Sequence, residues 1–116
     1  MGGMSFDCYG EGATVKAAYN NAVNNAYYDY GHAGYTGTIA EKDGFVLFEL
    51  PSPGVSADAV ADAAMEAYSD VSRLTHLGYD ETTATKIRDV YGDKWGPAVA
   101  LPYGEGKWFF CGIASS

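Results

Sequence analysis

The chain has 116 residues, 47% hydrophobic and 15% aromatic, which is material for one core and leaves no room for two. Only 19% of the residues are charged, and the hydrophobic content excludes the disordered class. Fifteen acids against seven bases give a formal net charge of −8, the wrong sign for a protein that must displace counterions from phosphates.

Ser5 to Tyr9 alternates weakly and reads as a short first strand ended by Gly10-Glu11-Gly12. Thr14 is placed to cap a helix running to about Tyr30, with Val15, Tyr19, Ala22, Ala26 and Tyr30 on one face. Asn20, Asn21, Asn24 and Asn25 take the other face, and Gly31 supplies the stop. Tyr35 to Glu41 reads as a strand, β-branched at Thr36, Thr38 and Ile39. Phe45 to Leu50 reads as its hairpin partner across Lys42-Asp43-Gly44, and its apolar run asks for cover on both faces or a central place. After Pro51-Ser52-Pro53-Gly54, Ser56 caps a second helix that continues until Gly78, its buried stripe being Val60, Ala64, Ala67, Val71 and Leu74. A short third helix covers Thr82 to Tyr91, and a final hairpin pairs Ala98–Tyr103 with Lys107–Ala114 across Gly104-Glu105-Gly106.

The order is β-α-β-β-α-(α)-β-β. It predicts a single compact α+β domain over residues 1–116, with a mostly antiparallel sheet of about five strands and two long helices on one face. The ferredoxin-like arrangement is the nearest comparison, varied by the third helix and the extra C-terminal strand.

Two groups of residues stand out for binding. On the second helix Asp58, Asp62, Glu66 and Asp70 recur every four residues, a row of like charges that costs an isolated helix roughly 0.2–0.5 kcal/mol per contact. The row is either a solvated face or a surface for a basic partner. Trp95, in the turn Asp93-Lys94-Trp95-Gly96-Pro97, either plugs the core or presents an aromatic anchor to the same partner. The second group is the glycine-spaced loop Gly31-His32-Ala33-Gly34-Tyr35-Thr36-Gly37-Thr38. With Lys42 it offers backbone amides and side-chain groups to a small nucleotide-like ligand. A phosphate loop follows a strand and opens a helix, whereas here a helix closes and a strand begins, so a plain helix-to-strand turn competes with that reading.

Catalytic patterns are sparse. His32 with Tyr35 and an acid such as Asp29 or Glu41 is the one acid–base set the order allows, and His76 belongs to a helix end. No cofactor or metal is expected, since Cys8 and Cys111 are two lone thiols without a Cys-x-x-Cys element and suit a reducing compartment. The bases Lys16, Lys42, Arg73, Lys86, Arg88, Lys94 and Lys107 are scattered, so neither direct nucleic-acid contact nor an anionic membrane surface is expected. No apolar run has the length of a membrane span, and Met1 to Tyr9 lacks the basic start and long apolar stretch of a signal peptide, which points to the cytoplasm.

Two stretches carry a resemblance. One is Tyr30-Gly31-His32-Ala33-Gly34-Tyr35-Thr36-Gly37-Thr38-Ile39-Ala40-Glu41-Lys42. The other is Asp93-Lys94-Trp95-Gly96-Pro97-Ala98 with Phe109-Phe110-Cys111-Gly112-Ile113-Ala114-Ser115-Ser116. Together they resemble small uncharacterised proteins encoded by tailed bacteriophages. The resemblance implies a protein of the infected bacterial cytoplasm that works by binding and inhibiting a host component, most plausibly one of defence, without catalysis. It brings no catalytic motif. The expected partner is a host protein with a basic surface, and the alternative is a small nucleotide held by the Gly31–Thr38 loop.

Overall fold

A computed structural model describes residues 3–31, 34, 36–67 and 70–115. Its elements are strand β1 (Gly3–Glu11), helix α1 (Val15–Tyr30), a 3-10 turn (Ile39–Glu41) and strand β2 (Phe45–Leu47). Helices α2 (Ala57–Met65), α3 (Ser72–Leu77) and α4 (Glu81–Gly92) follow, then strands β3 (Ala98–Gly104) and β4 (Lys107–Ser115). The fold is α+β, built on a four-stranded mixed sheet of order β1-β4-β3-β2. β1 and β3 run antiparallel to β4, and β2 runs parallel to β3. Among the described residues the sheet thus has four strands where about five were expected, and one parallel pairing joins the two antiparallel ones.

Consecutive apolar residues in the two central strands explain the layering. Side chains alternate faces along a strand, so Phe109 and Phe110, both almost fully buried, point in opposite directions. Phe110 and Ala100 pack with Ala18, Tyr19, Ala22 and Ala26 of α1. Phe109, Val99, Leu101 and Cys111 pack with Val60, Leu74, Ile87 and Tyr91 of α2, α3 and α4. Burying each phenyl ring contributes about 1.5–3 kcal/mol. Helices thus cover both sheet faces, and the ferredoxin-like comparison, which gathers them on one, does not hold.

The helix starts are set as the side-chain chemistry demands. Thr14 Oγ1 accepts from the Ala17 amide, Ser56 Oγ from Ala59 and Asp80 Oδ1 from Thr83, each satisfying an otherwise orphaned donor. α1 ends at Gly31, whose φ of 83° suits glycine and whose amide bonds to Tyr27 O.

Three expected elements differ. Tyr35–Glu41 is not a strand over its described residues: Thr38 caps the 3-10 turn by accepting from Ala40 N, and the Glu41 carboxylate takes both Thr36 N and Thr36 Oγ1. These short side chains offer the backbone local bonds in place of a ladder. Consequently no hairpin forms across Lys42-Asp43-Gly44. Phe45–Leu47 pairs instead in parallel register with Ala98–Ala100, and β2 is an edge strand rather than a central one. It is still packed from both sides, Phe45 with the α1 layer and Val46 with the α2–α4 layer. Lastly, the expected second helix is two: α2 stops at Met65, and Asp70 Oδ1 accepts from Ser72 N at the entry to α3. Val60, Ala64, Ala67 and Leu74 are buried as the helical stripe predicted, although the helix carrying them is broken.

Candidate binding surface around the first strand

β1 lies at one edge of the sheet, with α1 over one face and the N-terminal half of α2 beside the other. Two glycines seat α1. A Cβ on Gly10 would lie 2.3 Å from Ala18 O, and one on Gly12 would lie 2.8 Å from Ala18 N, so only glycine lets helix and strand approach this closely. From that pinched end the two elements diverge toward Met4 and Asp29, leaving a cleft of about 480 Å³. All six consecutive residues from Met4 to Tyr9 line it, so the cleft follows the strand along its length. Ala22, Asn25, Ala26 and Asp29 of α1 form the opposite wall, and Thr36 to Ile39 form its third side. The charged residues among these linings are Asp7 and Asp29, both exposed.

On the other face of β1 the Tyr9 hydroxyl donates to Asp58 Oδ1 at 3.2 Å. The Tyr9 ring also packs, tilted, at 4.5 Å from Tyr103 and 5.1 Å from Phe109, so an exposed aromatic pair rests on the core. A hydrogen bond with Tyr103, desolvation and the Asp58 carboxylate push the Tyr9 phenol up to about 12, which keeps it protonated and donating at neutral pH.

The acidic row is divided by the break after Met65. Asp58 and Asp62 stand exposed one turn apart on α2. Glu66, at the helix end, pairs with Arg73, and Asp70 is engaged at the entry to α3. Trp95 is 61% exposed, so it does not plug the core. It carries Lys94 over its ring at 5.1 Å, and Asp93 Oδ1 accepts from its amide. Lys94 in turn lines a smaller groove of about 360 Å³ with Gly3, Met65, Arg88, Tyr91 and Ile113, at the far end of α2 from Asp58. The structure thus brings Asp58 to Tyr9, with Asp62 one turn farther along α2, Glu66 at the end of that helix and Asp70 at the entry to α3.

Gly31, Gly34 and Gly37 all have positive φ, and His32 and Tyr35 lie outside the described residues. Three amides of this glycine loop are already committed, Gly31 N to Tyr27 O, Thr36 N to Glu41 and Gly37 N to Ser115 O, the first and last at 2.8 Å. Thr36 Oγ1 gives its proton to Glu41 at 2.8 Å, so in its contact with Thr38 Oγ1 it is the acceptor. Lys42 is 5% exposed and bonds Asp93 O, away from the cleft that Thr36 and Thr38 line. Among the described linings an anionic ligand would therefore meet Asp7 and Asp29 and no cation. Arg88 and Lys94 converge on the other groove instead.

Thiol chemistry is muted in the same region. Burial, and secondarily Asp7, push the Cys8 thiol up to about 12, so it stays protonated. Cys8 belongs to the α1 layer and Cys111 to the α2–α4 layer, which keeps the two free thiols on opposite faces of the sheet. His76, in the last turn of α3, is exposed.

Tyr9, Tyr103, Asp7 and Asn25 were not singled out as site residues by the sequence, and Asp29 was named only as an acid for His32. Their shared position depends on β1 being an edge strand, a property set by its pairing with β4 about a hundred residues downstream. No protein-family model matches the chain, and neither a curated protein nor a solved structure matches it. Among the described residues no helix is long and apolar enough to cross a membrane.

Proposed function

We propose that this chain is a phage accessory protein that binds a basic surface of a host protein, most plausibly a defence component, and inhibits it by occupancy. The single observation that carries the reading is the Tyr9–Asp58 bond. It joins an exposed, core-supported aromatic pair to the acids of α2 in one surface. Aromatic side chains anchored on a rigid scaffold lose little entropy on binding, and carboxylates beside them steer and orient a basic partner. The net charge of −8 extends the same field over the whole molecule. Trp95 supplies a second exposed anchor at the other end of α2.

The test is affinity capture from bacterial lysate at low and moderate salt, with wild type beside Asp58→Asn/Asp62→Asn and Tyr9→Ala. The reading expects one protein retained by wild type at low salt, reduced at moderate salt, and lost with both variants while thermal unfolding is unchanged for the acid pair. Equal retention by all three would remove this surface from the function.

A further inference from the structure

β4 is the only strand partner of β1 among the described residues, so one side of a nine-residue strand keeps its alternate amides and carbonyls unpaired by strand. An exposed strand edge of this length is a template for another strand. The cleft between β1 and α1 opens along that same edge. Its floor is supplied by Phe6 and Cys8, half-buried on the α1 face, and its wall by the small side chains of Ala22 and Ala26. Small residues on the helix leave the space that side chains of an added strand would fill.

We propose that this cleft receives an extended segment of a basic polypeptide, which pairs with β1 as a further strand of the sheet. Strand addition takes its affinity from main-chain hydrogen bonds and its selectivity from pockets that receive alternate side chains. The apolar floor would take every second side chain, a β-branched or aliphatic one. The side chains between would turn to the opposite face of the sheet, where Asp7 stands, while Asp29 on α1 flanks the mouth of the cleft. The acidic side chains among the described linings have no basic counterpart there, so lysine or arginine in the segment is favoured and an acidic segment is repelled. Self-association through β1 is disfavoured on the same ground, because a second copy would bring Asp7 and Asp29 against their own kind. The inference rests on the proposed reading of a basic protein partner and adds where that partner enters and in what conformation.

The probe is a capped synthetic peptide of alternating valine and lysine, titrated into the isotopically labelled protein and followed through backbone amide resonances. Three comparisons accompany it: the valine–glutamate peptide, a valine–lysine peptide N-methylated on alternate residues of one edge, and the variants Asn25→Trp and Asp29→Lys. N-methylation leaves the charge intact and removes the donors facing β1. The expected result is saturable shifts confined to residues 4–9 with Asn25 and Asp29. Affinity should fall at least about tenfold on N-methylation, as loss of several backbone bonds requires. It should fall comparably in Asn25→Trp, where a bulky ring at the exposed mouth blocks entry without entering the core. Asp29→Lys should weaken the lysine peptide and improve the glutamate one. Equal binding of the methylated peptide would reduce the effect to diffuse electrostatics and overturn the inference. So would shifts centred on Asp58 and Asp62, or no saturable binding. Asp58→Asn/Asp62→Asn should leave peptide affinity within about twofold, since these exposed acids lie outside the cleft. If that double variant loses lysate capture while the cleft fails to bind the peptide, the proposed function stands and the strand-addition inference falls.

Discussion

The Lys42 ammonium donates to the backbone oxygen of Asp93 at 2.9 Å, tying the segment before β2 to the turn before β3. This bond does locally what the expected hairpin would have done. It holds β2 against the far end of the chain, where Ala98 N also bonds Gly44 O at 2.9 Å. A lysine only 5% exposed carries a desolvation cost, and burial holds its pKa below the ordinary 10.5 while Asp93 and Asp43 pull it back up.

Lys42→Met keeps the apolar stem and removes the charge. Asp93 O retains the Gly96 amide at 3.2 Å, so it is not orphaned. The variant should unfold in urea at neutral pH within about 1 kcal/mol of wild type, or with higher stability. A loss above about 3 kcal/mol would show the ammonium to be a net contributor. The alkaline limb gives a second readout. The unfolded chain binds a proton on Lys42 more tightly, so this residue adds stability as pH rises from its lowered folded pKa toward 10.5. Tyr19 and Tyr79 act in the opposite sense. Burial raises both from 10.0 to about 12, so their contribution is present below pH 10 and is lost as pH climbs through 12. Without Lys42 to offset them, the variant should lose stability more steeply than wild type above pH 9.

Gly10 fixes how closely α1 sits on β1, and therefore the shape of the cleft. In Gly10→Ala the new methyl meets Ala18 O at 2.3 Å and Ala18 C at 2.9 Å, and backbone cannot yield as a side chain would. A destabilisation of about 2–4 kcal/mol is expected in thermal or denaturant unfolding. Gly44→Ala is the control, because nothing lies within 4 Å of its added Cβ. That change should be neutral or stabilise by up to about 1 kcal/mol through the unfolded chain. Similar losses in both variants would mean that the α1–β1 contact does not set the cost.

Much of this architecture was legible because its signals are local. Thr14 and Gly31 bracket α1, Ser56 starts α2, and Gly104-Glu105-Gly106 closes the β3–β4 hairpin as read. The misread parts each turned on a distant partner or a competing local bond. Asp-Gly between apolar runs is a hairpin signal only if both runs are strands, and Thr36, Thr38 and Glu41 satisfy one another instead. β2 finds its partner only at Ala98–Ala100, a pairing no neighbouring residue announces. At the start of α3 Asp70 takes the Ser72 amide, a local bond that i,i+4 periodicity overlooks. Cover on both faces was the readable clue left unused. Ala98–Leu101 and Phe109–Cys111 are unbroken apolar runs, which a sheet open on one side does not tolerate. The candidate surface was half legible. Asp58 and Asp62 follow from spacing and Trp95 was left open between core plug and exposed anchor, whereas Tyr9, Tyr103 and the cleft acids come together only through the edge position of β1.

Cys8 reports on that edge. Its thiol lines the cleft and is pushed up to about 12, mainly by burial, while Cys111 is fully enclosed on the opposite face and burial raises its pKa as well. Reaction with an aromatic disulfide reagent runs through the thiolate. At pH 8 a thiol of pKa 12 is ionised about a thousandfold less than an ordinary one of pKa 9. The native protein should therefore show one slow phase, from Cys8, and none from Cys111, with both thiols titrating promptly in denaturant. Cys8→Ser should abolish the slow phase without affecting the denatured Cys111 signal. Occupancy of the cleft by the valine–lysine peptide should slow the Cys8 phase further, because a strand laid along β1 covers the sulfur from solvent. A fast native phase would show that the β1–α1 cleft is more open than its packing allows. Protection of Cys8 by the N-methylated peptide to the same degree would show that occupancy does not require pairing with β1.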